Sequence, residues 1–92
     1  MTIALHRQFI DQVHKQPAAV RAAIFDAVLQ LPDALRNPSR HTGRGLRKLH
    51  SSGIWEVRIG LGLRALLQLL PDQTIFRFLG THDEVRKFLR NL

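Results

Sequence analysis

The chain has 92 residues, no cysteine, and 14 lysines and arginines against 7 acidic residues, which gives a formal net charge of +7. This length fits one small domain, residues 1–92, and the missing cysteines exclude disulfides and thiolate metal sites. The sequence has no apolar run long enough to cross a membrane, and its N-terminal segment lacks the apolar core of a secretory signal. We therefore expect a soluble, cytoplasmic protein with an anionic partner.

The first third of the sequence is typical of a strand followed by two helices. Thr2 to Leu5 fits a short strand, and the apolar spacing from about His6 to Gln16 predicts a helix. Pro17 interrupts that pattern and suits the first turn of a second helix, so the two helices should form a hairpin. Pro32 and then Pro38 predict the end of the second helix. Its apolar stripe consists of Val20, Ile24, Ala27, Val28 and Leu31.

A basic segment follows and is interpreted as a loop to about residue 53. It has no acidic residue between Ala34 and Trp55. Such a segment is often only a solvated surface, but this density of charge favours contact with a phosphate backbone. Its charged and titratable residues are Arg36, Arg40, His41, Arg44, Arg47, Lys48 and His50. The candidates for RNA binding are Arg40, Arg44, Arg47 and Lys48, together with Arg77 farther along the chain.

After Gly53 the apolar period changes from helical to strand-like. Three strands are predicted, at 54–59, 63–70 and 74–80, separated by turns at 60–62 and 71–73. Thr81 and Glu84 then form a capping-box pattern ahead of a short helix with apolar Val85, Phe88 and Leu89. The predicted order is β-α-α-β-β-β-α. This is an α+β fold with a small antiparallel sheet, a helical hairpin on one face and a short C-terminal helix.

The predicted turns determine which side chains share a face of the sheet. A three-residue loop at 60–62 places Arg58 opposite Arg64, and a four-residue turn from Pro71 to Thr74 places Arg64 opposite Thr81. One face then collects only apolar residues, namely Trp55, Val57, Ile59, Leu63, Ala65, Leu67, Leu69, Phe76 and Phe78. The other face collects Glu56, Arg58, Arg64, Leu66, Gln68, Arg77 and Leu79, and we expect it to remain uncovered.

Two arginines directly opposite each other repel. The ordinary explanation is that Glu56 pairs with one of them. The other is a phosphate site between them, because the guanidinium fork matches phosphate geometry. His82 begins the next helix and is expected near both arginines, although it can equally be an ordinary exposed first-turn residue.

Such a site suits RNA cleavage without a metal ion. Cations stabilise charge on the phosphorus, a base accepts the 2′-OH proton, and an acid protonates the leaving 5′-oxygen. Arg58 and Arg64 suit the first task, and His82 suits either proton transfer because imidazole titrates near neutral pH. Glu56 and His50 are weaker candidates for the remaining transfer. No metal-ligand spacing is present, so no cofactor is expected.

With these residues in place, the chain resembles the RelE/ParE superfamily of bacterial type II toxins. The resemblance covers most of the chain. It rests on the helical hairpin around Pro17 and on three segments, LRKLHSSGIWEVRI (46–59), LGLRALLQL (61–69) and FLGTHDEVRKFL (78–89). Arg58 matches the family's basic strand residue, Arg64 the arginine of its return strand, and His82 the histidine of the Gly-Thr-His motif in YafQ-like members.

The resemblance implies a RelE-like fold and, for RelE-, YafQ- and HigB-like ribonucleases, metal-independent cutting of mRNA on the ribosome, which inhibits translation. It also implies a cognate antitoxin; an uncovered basic face with surface Leu66 and Leu79 would attract an acidic partner. The chain departs from the Lys/Tyr-dependent members, because it has no tyrosine and carries Glu56 where some have lysine. Phe88 lies near the C-terminal position where several ribonucleases of the family have tyrosine. Packing of the last helix explains this residue better than a stacking role does. The alternatives are a ParE-like inhibitor of DNA gyrase and an inactive relative that only binds its antitoxin.

Overall fold

A computed structural model describes residues 2–36, 46–50 and 53–92. The elements in chain order are β1 (Thr2–Leu5), α1 (Arg7–His14), α2 (Ala18–Arg36), β2 (Arg47–His50), β3 (Ile54–Ile59), β4 (Leu63–Leu69), β5 (Gln73–Gly80) and α3 (His82–Arg90). No helix in the described part of the chain is long and apolar enough to cross a membrane.

The strands form one five-stranded sheet in the order β1-β5-β4-β3-β2. β1 pairs with β5 in parallel, and every other neighbouring pair is antiparallel. The α+β class is therefore confirmed, but the sheet is mixed and not antiparallel throughout as predicted, because β1 joins its edge in parallel to β5. The predicted order was wrong in one respect, because Arg47–His50 is a strand and not part of a loop. Its Arg47 lies opposite Glu56 of β3.

The two N-terminal helices cover one face of the sheet, which we call the first face. Phe9 and Val13 of α1 and Ile24 and Leu31 of α2 are buried there. The sheet contributes Val57, Ile59, Ala65, Leu67, Phe76 and Leu79 to the same cluster. α2 ends at Arg36 and not at Pro32, so that part of the prediction was wrong. A proline removes one backbone N–H from a helix, and in this chain the helix continues past it for one turn.

The register between β4 and β5 also differs from the prediction. Leu70 N–H donates to the Gln73 carbonyl at 2.9 Å, so only Pro71 and Asp72 lie in the turn. Leu67 then pairs with Phe76 but Leu66 with Phe78, and a β-bulge accommodates Arg77 between them. A one-residue insertion moves all later side chains to the opposite face.

Because of this bulge, the predicted faces were wrong for two residues. Leu79 joins the first face, and Phe78 moves to the opposite face, which we call the second face. α1 supports the shifted strand, since the Leu79 N–H donates to Gln12 Oε1 at 2.7 Å.

The expectation that the second face is uncovered was wrong, because α3 packs on part of it. A second apolar cluster of Ile54, Leu66, Phe78 and Val85 lies there, with Leu49, Phe88 and Leu89 against it. Leu66 and Leu79 are therefore core residues and not surface residues. The predicted capping box begins α3, with Thr81 as the N-cap and Glu84 as its partner.

Candidate functional site

The two arginines predicted to face each other do so. Arg58 of β3 is the cross-strand partner of Arg64 on β4, and Ile59 is the partner of Leu63. The three-residue loop that fixes this register starts at Gly60, whose φ of 63° lies in the region that favours glycine. Both arginines lie on the second face, because they alternate along their strands with the first-face residues Val57, Ile59 and Ala65.

Glu56 is the central acidic residue of this charged region. It is buried, with only 4% of its surface exposed. Its Oε1 atom accepts a hydrogen bond from Arg64 Nε at 3.2 Å and another from Arg47 Nε at 3.3 Å. A buried carboxylate needs such partners to offset its lost hydration. Glu56 therefore neutralises part of the charge of Arg64, which explains how two opposed arginines are tolerated.

The two arginines of the pair differ in their surroundings. The Arg64 side chain is 20% exposed and held by Glu56. Arg58 is exposed, and within the described part of the chain it forms no ion pair or side-chain hydrogen bond. An exposed guanidinium next to a fixed one presents five donors to an incoming anion. This region can therefore bind an oxyanion or a phosphate.

His82 is placed by the start of α3. Arg64 pairs with Gly80, not with Thr81 as predicted, so His82 lies two residues past the strand position that faces Arg64. A Cβ at Gly80 would lie 2.8 Å from the Phe78 ring and 3.0 Å from the Glu84 side chain, so a larger residue here would have to displace the Phe78 ring. The imidazole is half exposed, and its Nδ1 lies 3.3 Å from Asp83 Oδ1.

The remaining predicted residues have different positions. Lys48 is exposed on β2, and Arg77 at the bulge donates to Gln68 Oε1 at 2.9 Å. His50 ends β2, but its side chain lies outside the described part, and Arg40 and Arg44 are also outside the described residues. Phe88 stacks on Phe78 with 4.6 Å between ring centroids, which is the packing role expected for it.

Sequence reasoning missed the role of Arg47. It was assigned to RNA contact in a loop, whereas the structure places it on β2 with its guanidinium on Glu56. The signal that would have found it is Glu56 itself, because a carboxylate inside an apolar strand needs cationic partners on neighbouring strands. Among the residues described, no three His, Asp or Glu side chains lie close enough together to hold a metal ion.

No family model matches the sequence, and no curated protein matches it. Its fold is similar to that of solved structures. The RelB-RelE antitoxin-toxin complex from Methanococcus jannaschii has a TM-score of 0.65 at 15% identity, covering 92% of this chain and 96% of the matched chain. The conserved hypothetical protein HP0894 from Helicobacter pylori has a TM-score of 0.50 at 17% identity, covering 92% of this chain and 98% of that one. The α+β fold of this chain is therefore similar to that of RelE-like toxin structures.

Proposed function

We propose that this chain is the toxin of a type II toxin–antitoxin system and that it cuts mRNA on the ribosome without a metal ion. The observation that carries the proposal is the exposed Arg58, which has no ion pair among the described residues and lies directly opposite the fixed Arg64. A fold gains no stability from that pair, whereas a scissile phosphate would be bound by both cations.

In the proposed reaction, Arg58 and Arg64 stabilise the charge that develops on the phosphorus when the 2′-oxygen attacks it. His82 accepts the 2′-OH proton. When its Nδ1–H donates to Asp83, its Nε2 carries the free lone pair that a base needs. Glu56 is buried between two guanidiniums, which suits positioning Arg64 better than moving a proton. His50 at the end of β2 is the candidate for protonating the leaving 5′-oxygen.

The test is expression of the chain in cells, with primer extension on cellular mRNA. We expect cuts for the unmodified chain and a loss of about 100-fold or more for Arg58→Ala, Arg64→Ala and His82→Ala. The matched control is Arg7→Ala, because Arg7 is an exposed arginine on α1 whose pair with Asp11 contributes little. Intact mRNA together with accumulated DNA–gyrase cleavage complexes would replace this proposal with gyrase inhibition.

The proposed partner is a cognate antitoxin with an acidic, partly apolar segment. The similar structure from Methanococcus jannaschii is that of an antitoxin–toxin complex. On this chain α2 carries two exposed apolar side chains one turn apart, Phe25 and Leu29, which are 52% and 78% exposed. Phe25 lines a groove of about 340 Å³ between α1 and α2, with His14 and the cationic Arg21 also in its lining. Apolar walls with a basic edge suit an acidic amphipathic segment.

As a toxin, the chain alone should stop cell growth. We expect co-expression of the antitoxin encoded by the neighbouring gene to restore growth. Leu29→Asp should prevent this rescue by adding a negative charge to the exposed face of α2, one turn from the groove residue Phe25, while leaving mRNA cutting unchanged. The matched control is Leu61→Asp, which makes the same change at the fully exposed tip of the β3–β4 turn. Rescue that is equally strong with Leu29→Asp would place the antitoxin on another surface.

A further inference from the structure

A second cleft lies on the opposite side of Arg58 from Arg64, between α2 and β3. It has a volume of about 270 Å³. Its inner wall consists of the buried apolar residues Leu31, Leu46, Val57 and Ile59. Among the described residues, its polar lining consists of Asp26 and Gln30 on α2 and of Arg58. Apolar walls with a few polar groups are typical of a small-molecule site.

The polar groups of α2 in this cleft have a defined hydrogen-bonding pattern. Gln30 Nε2 donates to Asp26 Oδ2 at 2.9 Å, one helical turn apart. This bond fixes both side chains and leaves Asp26 Oδ1 and Gln30 Oε1 as neighbouring acceptors. The cleft therefore presents two acceptors over an apolar wall.

We infer that this cleft binds a guanine base of the RNA, next to the phosphate that Arg58 holds. Guanine is the one common base whose pairing edge presents two adjacent donors, N1–H and the N2 amino group. Adenine and cytosine each place an acceptor nitrogen beside their amino group, and uracil has a carbonyl oxygen on each side of its single N–H. Each of these bases would therefore place one of its acceptors against an acceptor of the cleft. The assignment of the base to an mRNA substrate rests on the proposed function.

The test uses the full chain and the four nucleoside 5′-monophosphates, with binding followed by NMR shifts of the Ala23, Ala27 and Gln30 signals. We expect GMP to bind about tenfold or more tightly than AMP, CMP or UMP. Guanosine without a phosphate should move the same signals, which separates base recognition from attraction of the phosphate to Arg58. Equal binding of the four nucleotides, or no binding, overturns the inference.

Two variants test the assigned groups. Asp26→Asn replaces an acceptor pair with one acceptor and one donor, so we expect the preference for GMP to disappear. Asp11→Asn is the matched control, because Asp11 is also an exposed carboxylate on a helix, paired with Arg7 outside the cleft. Ala23→Phe, at an exposed position of α2 that lines the cleft, should block all binding without disturbing the core. Retained GMP preference in Asp26→Asn contradicts the inference.

The outcomes separate this inference from the proposed function. Transcripts that are cut without preference for guanine, together with no GMP binding, overturn only the guanine site. GMP binding by a chain that leaves mRNA intact overturns only the ribonuclease.

Discussion

The first face of the sheet, under α1 and α2, packs an apolar core, whereas the second face combines a smaller apolar cluster under α3 with the charged group around Glu56. The same strands supply both faces, because successive side chains alternate across a sheet. The comparison indicates a division of labour. The first face supplies most of the stability, and the second face can hold charges that a stability-driven sequence would avoid.

The largest effect on stability should come from the first face. Phe76 is 1% exposed, and its ring lies 5.3 Å from that of Phe9. We expect Phe76→Ala to lower the free energy of unfolding by about 3–5 kcal/mol, through lost burial and a cavity. Urea unfolding followed by circular dichroism measures this.

The matched variant on the second face is Phe88→Ala. Phe88 stacks on Phe78 but is only partly buried, so its removal should cost less than Phe76→Ala. If Phe88→Ala lowers the free energy of unfolding as much as Phe76→Ala does, the second cluster contributes as much stability as the first. The division between the two faces is then wrong.

The next effect separates the two opposed arginines. Arg64→Ala removes one of the two partners of buried Glu56 and should cost about 1–3 kcal/mol of unfolding free energy. Arg58→Ala removes an exposed side chain and should change stability by about 0.5 kcal/mol or less. Thermal and urea unfolding of the two variants provide the measurement.

A double variant sharpens that comparison. Glu56→Gln combined with Arg64→Ala should recover part of the loss, because no buried charge then lacks its partner. Equal losses for Arg58→Ala and Arg64→Ala would mean that Glu56 does not distinguish the two arginines in solution.

Much of the fold could be predicted because local patterns determine it. The loop at 60–62 fixes the register of β3 and β4, and the capping box fixes the start of α3. The bulge at Arg77 could not be predicted, because it arises from a two-residue turn and from contacts with α1 that are distant in sequence. Its consequence was large, since Phe78 and Leu79 exchanged faces.

The candidate site was predicted less completely than the fold. The pair Arg58 and Arg64 followed from register alone. β2 was missed because RKLH has neither strand-like alternation nor β-branched residues. Without β2, the pairing of Glu56 with Arg47 could not be seen, and Glu56 remained a candidate for proton transfer. Long-range pairing therefore decides the roles of the charged residues, and composition does not.

A smaller effect than that of Phe76→Ala is expected at the boundary between the second face and α3. Thr81 N–H donates to Glu84 Oε1 at 2.9 Å, and Glu84 N–H donates to Thr81 Oγ1 at 3.3 Å. Thr81→Ala should therefore cost about 1 kcal/mol. Glu84→Gln should cost less at neutral pH, because this side chain is exposed and its amide oxygen can still accept the Thr81 bond.

The Glu84 variant is distinguished by its pH dependence. Two hydrogen bonds with Thr81 hold the pKa of Glu84 below its ordinary value. The larger effect comes from the Thr81 backbone N–H and the smaller from the Thr81 side chain. A carboxyl with a lowered folded-state pKa contributes stability above its unfolded-state pKa and loses that contribution as the pH falls through the folded-state value. Glu84→Gln should thus be less stable than the unmodified chain at pH 7, and the difference should shrink under acid conditions. Unfolding midpoints of Glu84→Gln and of the unmodified chain, measured at pH 7 and under acid conditions, test this. A difference that grows on acidification would show that the carboxylate does not stabilise the start of α3, and His82 would then need another support.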